Sequence, residues 1–239
     1  MKKLLLCCTI FFTCCVSCKK EEPEKVYVPF VYTTTMTDMD GNVYNTVTIN
    51  GREWMAENLR VEHYSNGDTI EYATYTSDWD NAFGGATCAY DNVYEADTIY
   101  GRMYNGAAVM DPRGLAPPGW HIPTYYEWLG LVSYLGQDAG NKLREHGGKH
   151  WIVDNSEATD EYGFAARPGG WRDFQGLFGL VRQECYFWSS TYWLPSNSQY
   201  PENWSLRLIG DQDPVLHGPE YFLDHTSYDY GCYIRLVKD

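Results

Sequence analysis

The sequence is poor in positive charge. Its 239 residues include 18 Lys and Arg against 32 Asp and Glu, which gives a formal net charge of −14 at pH 7. Nucleic-acid binding depends on clustered Lys and Arg that neutralise phosphates, and no basic stripe interrupts the acidic surplus. The composition therefore argues against a nucleic-acid partner. An acidic balance of this size identifies no ligand by itself.

The sequence also lacks an apolar run long enough to cross a membrane as a helix. Leu4–Phe12 is too short for that and, after a basic start, is typical of the apolar core of a signal peptide. Cys15–Cys18 then resembles a bacterial lipobox, whose last cysteine carries lipid. We therefore expect residues 1–17 to be a lipoprotein signal peptide and Cys18 to be the lipidation site. An ordinary signal peptide with chance cysteines is the alternative.

The polar residues 18–36 are expected to form the lipidated start and a tether. Lys19–Glu22 looks like the export tag that follows the lipid-bearing cysteine in Bacteroidetes lipoproteins and directs them to the outer face. A multiply acylated cysteine gives stable anchoring. The sequence thus predicts an outer-membrane protein that is exposed at the cell surface and has the membrane as a partner.

Cysteine is scarce beyond this leader. Only Cys88, Cys185 and Cys232 remain, so at most one disulfide can form and at least one thiol stays free. Their separation along the chain does not match the spacing of zinc ligands. A thiol nucleophile is one interpretation, and scattered buried cysteines are the interpretation that we favour.

Aromatic residues are abundant, at 16% of the chain. The turn pairs Asp40-Gly41 and Asn50-Gly51 flank alternating apolar residues and predict a β-hairpin. The clearest helix begins after Pro123, with Thr124 as N-cap, Glu127 as its capping-box partner and Gly136 as the stop. Residues 137–145 predict a second short helix.

Several segments together resemble one family. They are DMDGNVYNTVTINGREWMAENLR, YGRMYN, PPGWHIPTYYEWLGL, GFAARPGGWR, CYFWSST and YIRLVKD. Their order and spacing are similar to the Fibrobacter succinogenes major paralogous domain, which recurs in lipoproteins, and the resemblance covers residues 37–239. It implies an α+β, C-type-lectin-like fold with one main helix, short antiparallel strands and long loops. It implies no established catalytic activity, and adhesion or carbohydrate attachment is the usual expectation.

Sugar binding needs exposed rings in loops with polar groups around them. The tryptophans that we select as candidate ligand-binding residues are Trp79, Trp151, Trp171, Trp193 and Trp204. Packing in the core is the favoured interpretation for each of them, but five are many to bury in a domain of this size, so we expect one or two to be exposed. His121 and Glu127 are interpreted as parts of the frame, with His121 bonded to backbone and Glu127 in the capping box. Ser189 and Ser190 lack the elbow motif of a serine nucleophile.

Metal signals are weak. His146 and His150 have a helical i, i+4 spacing, but the two glycines between them argue against a helix. Residues 201–204 contain the Pro, Glu and Asn of a C-type-lectin calcium motif in a different order. Calcium needs six or more oxygens, and the acidic side chains that could add them are Asp78, Asp80, Asp211 and Asp213. We predict no metal and no cofactor.

The sequence therefore predicts a non-catalytic, lipid-anchored surface protein that binds a glycan or a protein ligand as an adhesin-like module. The alternative is a structural or interaction subunit of a surface complex that binds no sugar. A glycan hydrolase is the third class, and it would need two carboxylates about 5–10 Å apart in a cleft. No segment of the sequence raises such a pair above chance.

Overall fold

The structure is a computed structural model. It describes residues 27–80, 84–152, 155–196, 201–210 and 221–239. The predicted signal peptide and Cys18, the predicted lipidation site, lie outside the described residues, as do Asp211 and Asp213.

The described residues form fourteen strands and five α-helices. In chain order the strands are β1 Thr34–Thr37, β2 Val43–Ile49, β3 Arg52–Met55, β4 Glu71–Tyr72, β5 Ala86–Cys88, β6 Met103–Asn105, β7 Trp120–His121, β8 Trp171–Arg172, β9 Phe178–Gly179, β10 Glu184–Trp193, β11 Glu202–Ile209, β12 Tyr221–Ser227, β13 Gly231–Cys232 and β14 Val237–Lys238. The helices are α1 Thr76–Asp80, α2 Glu95–Tyr100, α3 Gly106–Met110, α4 Tyr125–Leu135 and α5 Ala139–Leu143.

The strands make three sheets with the orders β1-β2-β3-β14-β7, β10-β11-β12 and β4-β5-β6-β13-β8-β9. All pairs in the first two sheets are antiparallel, and the third contains one parallel pair, β4 with β5. The first sheet joins the two ends of the domain, because Val237 on β14 lies opposite both Trp54 on β3 and His121 on β7.

This architecture corrects the expected fold class. The α+β, C-type-lectin-like description with one main helix is wrong, because the chain is mostly β, with three sheets and five short helices of 5 to 11 residues. The helix signal dominated the sequence because a capped amphipathic helix is encoded locally. Strands of two to four residues are too short to show an alternating pattern, and they exist only through pairing with distant segments.

The predicted hairpin turn is confirmed. Asn50 and Gly51 connect β2 to β3 with φ of 51° and 75°. Two successive positive φ values are what a tight two-residue turn between antiparallel strands requires. The asparagine and glycine at these positions are the residue types that adopt such a backbone most readily.

The predicted start of α4 is also confirmed. Thr124 Oγ1 accepts from the Glu127 N–H at 3.2 Å, and the Glu127 carboxylate accepts from the Thr124 N–H at 2.8 Å. These reciprocal bonds complete a capping box. The second short helix is present as α5.

The core consists of two apolar clusters. One contains Trp54, Trp128 and the core-facing residues of α4 and β11. The other contains Trp188 together with residues of β6 and the C-terminal segment. The two are joined where Trp128 Nε1 donates to the Trp188 carbonyl at 3.1 Å. The first cluster fixes α4 against the β10-β11-β12 sheet.

The described end of the predicted tether lies against the domain. The Tyr27 ring stacks on His146 at 3.7 Å between ring centroids. Tyr32 donates to the Gly163 carbonyl at 2.9 Å. Strand β1 begins at Thr34. The second half of residues 18–36 is therefore packed rather than extended away from the domain.

Candidate ligand-binding surface

Five aromatic rings lie in a continuous row at one end of the β10-β11-β12 sheet. We call this row the aromatic strip. In order its members are Tyr126, Tyr125, Trp204, His225 and Trp193. Successive ring centroids are separated by 5.3, 4.4, 3.8 and 5.4 Å. Spacing of this kind is ordinary aromatic contact, so the rings support one another as a single surface.

Strand register brings three of these rings together. Trp204 on β11 lies opposite His225 on β12, and Trp193 on β10 lies opposite Glu202. Because alternate residues of a strand share a face, Glu202 and Trp204 lie on the face that carries Leu206 further along. Leu206 is fully buried in the core. The strip is therefore the exposed continuation of the core face.

Helix α4 supplies the other two rings. Its first residues are Tyr125 and Tyr126, and the Tyr125 N–H donates to Thr191 Oγ1 of β10 at 3.0 Å. Trp128 and Leu131, later on the same helix, are buried in the core. The buried face of α4 thereby fixes the position of the tyrosines at its start.

The strip is accessible and has polar groups at its edge. Tyr126 is 75% exposed and Trp193 is 50% exposed, whereas Trp204 is half-buried. Glu202, on the same face of the sheet, lies 3.6 Å from His225 Nδ1. Flat rings bordered by a carboxylate can stack on an apolar ligand face while the carboxylate accepts hydrogen bonds from its rim.

The five tryptophans selected from the sequence do not form one site. Trp79 and Trp151 are 2% and 1% exposed, and their indole N–H groups donate to the carbonyls of Asp229 at 2.7 Å and Ala166 at 3.2 Å. Neither offers a ring face to a ligand, which corrects their selection.

Trp171 lies on β8 in the β4-β5-β6-β13-β8-β9 sheet and is half-buried. Its ring lies 6.1 Å from that of Tyr230. It is not part of the strip. Trp193 and Trp204 are the two selected residues that the structure brings together.

Three members of the strip were missed from the sequence, namely Tyr125, Tyr126 and His225. The adjacent tyrosines at the start of an amphipathic helix were a usable signal, because both precede Trp128, the first core-facing residue of α4. His225 carries no comparable signal in its local sequence.

His121 and Glu127 belong to the frame, but His121 is held differently from our expectation. Its Nδ1 lies 2.6 Å from Asp239 Oδ1 and its Nε2 lies 3.0 Å from Glu127, so its partners are carboxylates and not backbone groups. Burial opposes ionisation of Glu127, but hydrogen bonds from Thr124 and His121 outweigh it and lower the pKa of the carboxyl. This cluster ties α4 to the C-terminal residue.

The three body cysteines are free and buried. Burial raises the pKa of the Cys88 thiol to about 11 and that of Cys185 to about 12, and it raises the pKa of Cys232 well above its usual value. A thiol that stays protonated and out of contact with solvent is a poor nucleophile. The interpretation as scattered buried cysteines is confirmed.

Among the residues that the structure describes, no cluster of three or more His, Cys, Asp or Glu is arranged to hold a metal ion. His146 Nδ1 lies 2.7 Å from the Ala158 carbonyl, and His150 lies 2.6 Å from Glu145. The two histidines thus have separate partners. Glu202, from the calcium-like segment, pairs with His225.

An open cleft of about 660 Å³ lies between the β1-β2 turn and α2. Its charged side chains pair with one another. Arg102 bonds Asp97 at 2.8 Å and Glu62 at 2.6 Å, and His63 lies 2.7 Å from Asp40. These ion pairs engage the acidic side chains of the cleft, although within the described residues Asp97 Oδ1 has no hydrogen-bond partner.

The fold and the strip together define a mostly β domain with an exposed aromatic surface. The model of the Fibrobacter succinogenes major domain matches residues 47–238, so the chain belongs to this family, as its motifs predicted. No curated protein and no solved structure matches the chain. None of the helices described has the length and hydrophobicity needed to span a bilayer.

Proposed function

We propose that this protein is a lipid-anchored, non-catalytic component of the outer-membrane surface and that it binds glycans along the aromatic strip. The observation that carries the proposal is the row of five touching rings, of which Tyr126 and Trp193 are largely exposed. Cys18 is the residue proposed to carry the lipid, and a multiply acylated cysteine would hold the domain at the membrane.

The strip suits an oligosaccharide for physical reasons. A pyranose has an apolar face of C–H groups, which packs against a flat ring, and a rim of hydroxyls, which needs hydrogen-bond partners. The rings provide the apolar surface, and the carboxylate of Glu202 provides a hydrogen-bond acceptor for the hydroxyls. Tyr and Trp side chains have two rotatable bonds, so ordering them on binding loses little conformational entropy. Several successive rings suit several successive sugar residues.

The test is a glycan array with the full chain, purified in a detergent that has no sugar headgroup. Trp193→Ala removes the most exposed tryptophan of the strip, and we expect at least a tenfold loss of affinity, about 1.4 kcal/mol. Tyr75→Ala is the matched control, because Tyr75 is 71% exposed and lies outside the strip. Equal affinity of wild type and Trp193→Ala for every bound glycan would refute the proposal.

A protein partner is the second candidate, and one observation favours it. Tyr192, Trp193 and Leu194 are consecutive and are each at least half exposed. A run of large apolar side chains at the surface is typical of interaction sites. If this candidate is correct, no glycan on the array binds the protein. Cross-linking in the cell envelope then captures a partner protein with wild type but not with Trp193→Ala.

A further inference from the structure

Positive charge is scarce in the elements that carry the aromatic strip. Arg207 is the only Lys or Arg in residues 184–230, which include β10, β11 and β12, and α4 contains neither residue type. Arg207 is three residues from Trp204 on β11, so its side chain lies on the opposite face of the sheet. There it makes two bonds of 2.7 Å to the Glu184 carboxylate. None of the four elements therefore supplies an unpaired cation to the strip.

A cation from outside these elements, Arg52, lies near the other end of the strip, where it lines a pocket together with Tyr126. Its guanidinium is already paired, with Nη1 2.6 Å from Glu127 Oε1. A carboxylate or sulfate on a bound sugar would have to compete with Glu127 for this partner. An anionic sugar is therefore poorly matched to this end of the strip as well.

The Glu202 carboxylate lies beside the exposed end of the strip. Glu202 on β11 is opposite Trp193 on β10 and two residues before Trp204, so the three side chains share one face. Directly opposite residues of a sheet have Cβ atoms about 4.5–5.5 Å apart. The Glu202 side chain is 38% exposed, and Trp193 is exposed as well. A sugar that stacks on Trp193 can therefore contact the Glu202 carboxylate directly.

This carboxylate also has unused bonding capacity. Its ionic partner is His225, whose Nδ1 is 3.6 Å away, which is longer than a hydrogen bond. Within the described residues the Glu202 side chain accepts no hydrogen bond. Glu184 on the same sheet differs, since it accepts from Arg207 and from the Tyr186 hydroxyl at 2.6 Å. Glu202 is thus free to accept hydrogen bonds from a ligand.

We propose that the glycan bound along the strip carries protonated amino groups, as an unacetylated hexosamine does, and that one ammonium contacts Glu202 beside Trp193. An ammonium donates charge-assisted hydrogen bonds to a carboxylate. It is also attracted to the face of an aromatic ring, most strongly to that of tryptophan. A uronate or sulfate in the same place would be repelled by Glu202. The inference rests on the proposed glycan binding and names the charge class of its ligand.

The test is calorimetric titration of the full chain at low ionic strength and at a pH at which the amines are protonated. The first ligand set is the β-1,4-linked trimers of glucosamine, glucose and glucuronic acid. The second set is the same three forms of the backbone that binds most tightly on the array. We expect the amino form to bind about tenfold more tightly than the neutral form, and the uronate to bind most weakly.

Glu202→Gln keeps the size of the side chain and a hydrogen-bond acceptor but removes the charge. It is expected to reduce the preference for the amino form to about twofold. Glu71→Gln is the matched control, because Glu71 is exposed, lies on β4 outside the strip and changes the net charge by the same amount. This control should retain the tenfold preference, which separates the local carboxylate from the overall acidity of the protein.

Ionic strength provides a second measurement that needs no variant. Raising the salt to about 1 M shortens the screening length to about 3 Å, so the preference of wild type for the amino form should fall below about threefold. A preference that persists at this salt concentration and in Glu202→Gln would overturn the inference.

The outcomes separate the two proposals. If the neutral or uronate form binds wild type as tightly as the amino form, the charge inference is wrong and glycan binding by the strip still stands. If no form of either set binds, and no glycan on the array binds, the proposed function fails and the charge inference fails with it.

Discussion

The buried tryptophans and the tryptophans of the strip differ in what their indole groups contact. Trp128 and Trp188 are fully buried, and each donates to a backbone carbonyl, Trp188 to Tyr104 at 2.6 Å. Trp193 and Trp204 contact other aromatic rings instead, and they are 50% exposed and half-buried, respectively. The first pair stabilises the fold, whereas the second pair belongs to the surface that we propose for ligand binding. Trp54 differs from both pairs, since it is buried but its N–H has no acceptor among the described residues.

Truncating one buried tryptophan and one tryptophan of the strip should show the largest difference between the two sets, in the free energy of unfolding. Trp188→Ala is expected to lower the free energy of unfolding by about 3–5 kcal/mol, because it opens a cavity and removes a buried hydrogen bond. Trp193→Ala is expected to change it by less than about 0.5 kcal/mol, as exposed substitutions usually do. Urea denaturation of both variants measures the difference. Similar losses would show that the strip is part of the core.

A buried carboxyl extends the contrast between interior and surface. Burial raises the pKa of Asp160 to about 7, although the Ala165 N–H, which donates to it at 2.8 Å, and Arg235 oppose the shift. The folded state therefore holds this proton more tightly than the unfolded state between about pH 4 and 7. The resulting contribution to stability is present below that range and is lost as the pH rises through 7.

Asp160→Asn should remove that dependence. At pH 4 the variant is expected to match wild type, and at pH 8 it is expected to be more stable by about 2–4 kcal/mol, because the neutral amide avoids a buried charge. Denaturation curves at the two pH values measure this. A variant that is less stable than wild type at pH 8 would contradict the assignment.

The smallest expected effect on stability concerns the indole N–H of Trp54, which has no acceptor within the described part of the chain. Trp128→Phe and Trp54→Phe remove the same atoms from two buried, neighbouring rings, whose centroids are 5.0 Å apart. Trp128 loses a hydrogen bond, whereas Trp54 Nε1 has no acceptor in the described ranges, so Trp128→Phe is expected to be the less stable by about 1 kcal/mol. Thermal unfolding without ligand compares the two. A larger loss for Trp54→Phe would mean that its N–H already has a partner in the folded protein.

Features encoded within a few residues were predictable from the sequence. The α4 capping box and the Asn50-Gly51 turn depend on side chains that are close in the chain, and both are present. The mostly β architecture was missed because it depends on distant pairings, such as Val237 between β3 and β7. Two-residue strands give no periodic signal before the chain has folded.

The candidate surface was predictable only in part, for a related reason. Trp79 lies in an acidic, polar segment that suggests exposure, yet its N–H donates to Asp229, 150 residues later, and Arg172 lies 4.5 Å from its ring. Local composition cannot reveal either contact. Trp193 and Trp204 were among the five candidates, and the structure brings them together, but His225, which connects them, comes from a strand whose partner only the register identifies.

A single titration can distinguish the buried tryptophans from the tryptophans of the aromatic strip. The isotope-labelled full chain is titrated with the glycan that binds most tightly on the array and followed through the indole N–H resonances in NMR spectra. We expect shifts for Trp193 and Trp204 and no shift for Trp128 and Trp188. Saturable shifts confined to Trp128 and Trp188, or no shifts with a folded protein, would contradict glycan binding at the strip.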